Sequence, residues 1–176
     1  MNTKEIKRKI EQQICSGVSK TVIFEQLTAA GIPERKAAFW IASYAKPELI
    51  RANQFHVRSV FSINVIIAVL AFLAGFSVAS GISALFAGVL LAIIPALLSM
   101  GFYKNLLGSY QAFIILTIVG LPRLFERMHE LQGTLIFALL LNVALLGYIC
   151  FVRIRIFPDM HWFGPRKKNG HYIFTD

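Results

Sequence analysis

From Ser59 to Tyr103 the chain has no Asp, Glu, Lys, Arg or His. That absence spans 45 residues, enough for two bilayer crossings, because one crossing takes roughly 20 apolar residues to cover the ~30 Å hydrocarbon layer. Two further stretches are equally free of ionisable groups, Asn105 to Pro122 and Leu131 to Val152. The same lack excludes a function class. Proton-coupled transporters and voltage sensors place an ionisable side chain at membrane depth, and these three runs hold none.

Other scarcities narrow the chemistry. Cys15 and Cys150 have neither the number nor the spacing of a disulfide framework or a zinc site, so both are expected as thiols. No Asn-x-Ser/Thr acceptor occurs. No phosphate-binding glycine loop or nucleophile elbow occurs either. His129-Glu130 begins a zincin-like pattern, but Leu131, Gln132 and Gly133 follow and the second histidine is missing. Glu126 and Glu130 instead stand at i,i+3 from Arg123 and Arg127, as on a surface amphipathic turn. His56, His161 and His171 have no neighbouring cysteine. No catalytic residue, metal site or cofactor is expected, and the chain reads as non-enzymatic. The basic opening, Met1 to Glu11, lacks a following apolar h-region, so the first span is expected to be an uncleaved anchor.

What is present is sorted by position. Hydrophobic residues make up 56% and charged residues 15%, where a soluble domain has about a quarter charged. Ten of the 18 Lys and Arg lie in the first 58 residues and five in the last 24. These patterns predict an all-α integral membrane protein: a cytoplasmic helical region over 1–58, a four-helix transmembrane bundle over 59–152, and a short basic-aromatic cytoplasmic tail over 153–176. The spans are expected at about 60–80, 84–102, 106–122 and 132–152. The third is the least regular, because it carries Ser109, Gln111 and Thr117 after a very short loop, and a re-entrant segment is its alternative.

Charge sets the orientation. With both termini inside, sixteen Lys and Arg face the cytoplasm and two, Arg123 and Arg127, face out. The positive-inside rule then gives N-in and C-in topology, with the bacterial inner membrane as the expected location.

Within lipid, small residues mark the surfaces where helices meet. Ala71, Gly75 and Ala79 on the first span, and Ala84, Gly88, Ala92 and Ala96 on the second, form stripes expected to pack as a close antiparallel pair. Pro95 should kink the second span or free a backbone carbonyl. Asn64, Gln111, Thr117 and Asn142 are the polar side chains expected to make contacts inside the membrane, with Asn142 facing protein, either its own bundle or another copy.

The soluble ends carry their own periodicity. Ile6, Ile10 and Ile14 predict one helix stopped by Gly17; Ser19 is a plausible N-cap for a second that buries Ile23, Phe24 and Leu27. Gly31 should stop that helix, and Pro33 should open a third with Ala37, Ala38, Ile41 and Tyr44 on one face. A helix-turn-helix reading of this pair fails because the second helix offers mostly Ala, Phe, Trp and Ile where base edges need polar side chains; nucleic acid is not an expected partner. In the tail, Asn169-Gly170 signals a hairpin turn. Arg153, Arg155, Trp162, Arg166, Lys167 and Lys168 are expected to touch anionic headgroups or a protein partner, or the tail aromatics close a core with the N-terminal helices. The functional expectation is a homo-oligomeric scaffold, accessory subunit or regulator, of the kind that also serves defence or immunity, engaging a cytosolic protein. The alternative is an oligomeric channel or small-solute transporter with a polar path through Gln111, Thr117 and Asn142.

Overall fold

The computed structural model describes residues 3–78, 80–126, 132–162 and 164–175, without the side chains of 123–126 and 132–135. Eight helices and one two-stranded hairpin form among them. The chain divides into two compact units: one built from residues 1–53 together with 153–176, and one from 54–152. The N-terminal region and the tail, for which a shared core is one of the two expectations, belong to one compact unit.

In the first unit, α1 (Thr3–Cys15), α2 (Lys20–Ala29) and α3 (Glu34–Ala42) pack through the residues their periodicity selects. Ile6, Ile10, Ile14, Ile23, Leu27, Ala37, Ala38 and Ile41 are all buried. Glycines in the left-handed region end α1 and α2: Gly17 has φ 83° and Gly31 φ 82°. Each permits the six-to-one closure of a Schellman turn, Val18 N donating to Gln13 O at 3.0 Å and Ile32 N to Leu27 O at 3.1 Å. The Ser19 Oγ caps α2 by accepting from Thr21 N at 3.2 Å. Pro33 stands at the N-cap of α3, and Pro47 opens the short α4 (Pro47–Ala52). At the C-terminal end, β1 (Lys167–Lys168) pairs with β2 (His171–Tyr172) across Asn169 and Gly170, both at positive φ as a type I′ turn requires. Phe24 packs on Tyr172 and Phe174 at ring separations of 5.7 and 5.5 Å, joining α2 to the tail.

The second unit begins with α5 (Gln54–Val78), several residues earlier than the charge pattern predicts, because helix geometry continues through His56 and Arg58. The loop to α6 (Ile82–Tyr103) passes Gly81, with φ 64°. A left-handed Asn105 (φ 52°) separates α6 from α7 (Leu107–Glu126), and α8 (Gln132–Ile156) ends the helical part. Among the described residues three helices are long and apolar enough to cross a membrane: Gln54–Val78, Ile82–Tyr103 and Ile136–Ile156. The apolar part of α7, Leu107–Pro122, is shorter, ~24 Å at the α-helical rise. Among the described residues extensive packing is concentrated in the α5–α6 pair, with α7 meeting α6 beyond the turn. Leu70, Leu73, Leu90, Leu97 and Leu140 are among the large apolar side chains left exposed, as a surface solvated by hydrocarbon allows.

Candidate functional site

The α5–α6 contact is set by two glycines. A Cβ on Gly75 would stand 2.7 Å from Gly88 Cα, and one on Gly88 would stand 2.9 Å from Phe72 O. Ala84 is buried and Ala71 and Ala92 are half-buried, whereas Ala96 is exposed. Ala96 thus departs from the expected stripe. Four residues turn a helix by about 400°, so a strict four-residue repeat drifts about 40° per step; beyond Ala92 the contact passes to Pro95 and Ser99, which meet Asn64 of α5. Ala96 lines an apolar groove of about 600 Å³ with Phe61, Val65 and Phe72. Ala79 lies outside the described residues, as do residues 127–131 of the expected outer turn, while Arg123 and Glu126 are described without side chains.

Asn64 is 1% exposed in this contact. Its Nδ2 donates to Pro95 O at 2.6 Å and to Ser99 Oγ at 2.8 Å, and Ser99 Oγ donates to Pro95 O at 2.9 Å. Helix α6 runs unbroken through Pro95. Asn142 behaves differently: its Nδ2 donates to Ala138 O of its own helix at 2.9 Å. Gln111, Thr117 and Asn142 are half-buried, and no hydrogen bond joins the three. At the start of α5, His56 Nδ1 lies 3.1 Å from Tyr148 Oη, with the Phe151 ring 5.5 Å away.

In the first unit the decisive feature is one the sequence reading missed. Lys20 Nζ donates to Asp159 Oδ2 at 2.6 Å, and the two side chains are 2% and 1% exposed. Lys20 also donates to Tyr44 O at 3.0 Å, and Asp159 Oδ1 accepts from Thr175 N at 2.6 Å. One buried ion pair therefore links α2, the end of α3 and both ends of the tail. A signal existed: Lys20 stands on the same helical stripe as Ile23 and Leu27, an anomalous place for a charge unless it is paired. Tyr44 beside it has its hydroxyl pKa raised, by burial first and by the Glu11 charge second.

The basic tail residues divide. Arg153 is 3% exposed; its Nη2 donates to His161 O at 2.8 Å and its guanidinium lies 5.7 Å from the Trp162 ring. This corrects the expectation of a headgroup contact, since a guanidinium turned into its own unit is withheld from an external anion. Arg155, Arg166, Lys167 and Lys168 are exposed, and Lys167 Nζ sits 4.3 Å over the Tyr172 ring. Trp162 is 47% exposed.

No known family matches. The chain matches no protein-family model, no curated protein and no solved structure. Among the described residues no group of three His, Cys, Asp or Glu side chains could hold a metal ion, and no disulfide joins Cys15 to Cys150.

Proposed function

We propose that this protein is a four-crossing, non-enzymatic anchor that holds a basic helical unit at the cytoplasmic face of a bacterial inner membrane, as a scaffold, accessory subunit or regulator. The observation that carries the reading is the Lys20–Asp159 pair at 2.6 Å. It joins residues before the first crossing to residues after the last. A chain whose two ends share one buried core crosses the bilayer an even number of times. Three helices qualify by length and composition, so α7 supplies the fourth crossing. Its apolar part is ~24 Å long, and a short span is accommodated by local thinning at fractions of a kcal/mol per Å. The distribution of Lys and Arg then orients the basic unit inward. Exposed Arg155, Arg166 and Lys168 are the groups offered to anionic headgroups or an acidic protein. The apolar faces of α7 and α8, with Asn142 half-buried on the latter, are the surfaces left for other copies of the chain.

Impermeant thiol labelling tests this reading. Exposed Cys15, and Thr175→Cys in a Cys15→Ser background, should both react in inside-out vesicles and resist labelling in intact spheroplasts. Gln132→Cys should show the reverse. Labelling of Gln132→Cys from the cytoplasmic side, or of Cys15 and Thr175→Cys from opposite sides, would remove the fourth crossing and the reading with it.

A further inference from the structure

A cavity of about 680 Å³ opens between the first half of α3 and the C-terminal hairpin, wholly within the unit formed by residues 1–53 and 153–176. Its volume is in the range of pockets that take small ligands. Three cations line it, Arg35, Lys36 and Lys167, together with three aromatic side chains, Phe39, Trp40 and Tyr172. Among the described residues the lining contains no carboxylate. Among the described residues Arg35 and Lys36 have no ion-pair partner, and Lys167 is held over the Tyr172 ring.

Arg35 and Lys36 follow Glu34 in the first turn of α3, the positive end of the helix dipole, which favours the carboxylate and disfavours the two cations. Bringing Lys167 to the same cavity adds like-charge repulsion. A ligand with several negative charges relieves both, because a concave site lined by one sign of charge focuses the field on an opposite charge. The aromatic residues add a second requirement. Tyr172 is covered by Lys167 on one side and packs on Phe24, whereas Phe39 is 42% exposed and Trp40 half-buried, leaving ring surface on which a flat group can stack.

We propose that this cavity binds a phosphorylated ligand with a planar body, the chemistry of a nucleotide, with Arg35, Lys36 and Lys167 on the phosphates and Trp40 and Phe39 against the base. Guanidinium and ammonium donors suit phosphate oxygens, and aromatic faces stack on any base without demanding a sequence of hydrogen bonds. The site lies in the soluble unit and stands whatever the number of crossings.

The test uses the full-length chain in a neutral maltoside detergent and the fluorescence anisotropy of an ATP analogue labelled on its ribose. Saturable binding displaced by ATP is expected. Arg35→Ala combined with Lys36→Ala should weaken it at least about tenfold, as loss of charge-assisted hydrogen bonds predicts, and Trp40→Leu about tenfold through lost stacking. Lys7→Ala combined with Lys9→Ala removes the same charge from α1 and should leave affinity unchanged. Three results would overturn the proposal: no saturable binding, displacement by tripolyphosphate as readily as by ATP, or equal weakening by the Lys7 and Lys9 pair. Failure of ATP to compete, with binding dependent on Arg35 and Lys36 only in phosphatidylglycerol nanodiscs, would also overturn it and assign the cations to a lipid headgroup.

Discussion

Lys20 and Asp159 show how two residues of opposite charge, far apart in the chain, hold a unit together when both are removed from water. Taking either away leaves the other charged and buried, a loss of about 3–5 kcal/mol, whereas replacing both by apolar groups removes the desolvation cost along with the attraction. Lys20→Met or Asp159→Asn alone should therefore lower the unfolding midpoint sharply in detergent. Lys20→Met combined with Asp159→Leu should recover most of the loss, and additive single effects would deny the coupling. Tyr44 gives a pH prediction at the same scale. Its folded pKa is raised above 10.0, so the neutral phenol is favoured by folding; the stability it contributes is complete below about pH 10 and is lost as pH rises through the folded value. The stability difference between the protein and Tyr44→Phe, followed into alkali, should shrink over that window and stay constant below it.

At the scale of elements, the tight joint is α5 against α6. Gly75→Ala places a methyl carbon against the backbone of Ala87 and Gly88, neither of which can rotate away, and should destabilise the pair by about 1–3 kcal/mol in a detergent unfolding titration. Gly120→Ala and Gly147→Ala meet nothing within 4 Å and should be neutral or slightly stabilising, as Ala is a better helix former than Gly. If Gly75→Ala were as mild as these, close backbone approach would not be what joins the helices. The small-residue stripe was legible in the sequence as far as Ala92. Beyond it the strict spacing misleads, because the sequence repeats every four residues while the helix turns about every 3.6. Asn64 was legible as a buried amide, since hydrocarbon offers it no hydrogen bonds; Ser99, its partner, was not, because hydroxyls are common throughout these spans.

For the whole molecule, the discontinuous first unit changes what a truncation means. Residues 1–45 supply Lys20, Phe24 and most of the helices under the tail. Their removal should abolish amide hydrogen-exchange protection in Phe157–Phe174 while the α5–α6 pair keeps its own. Persisting protection in the tail would show two independent segments instead of one unit. Loss of a bound protein on such truncation would consequently implicate the unit as a whole, not α1–α3 alone.

The sequence by itself determined which segments are apolar enough for a membrane and which carry the charge. Long charge-free runs admit no stable placement in water, lysines and arginines resist translocation, and glycine, proline and serine punctuate α1–α3 by local backbone preference; each of these effects acts over a few residues. Only the tertiary structure decided that the chain's two ends share a core, that Arg153 turns inward, and that Arg35, Lys36 and Lys167 converge on one cavity. Those outcomes depend on contacts between residues more than a hundred positions apart or on the direction a side chain takes, and no local pattern encodes either.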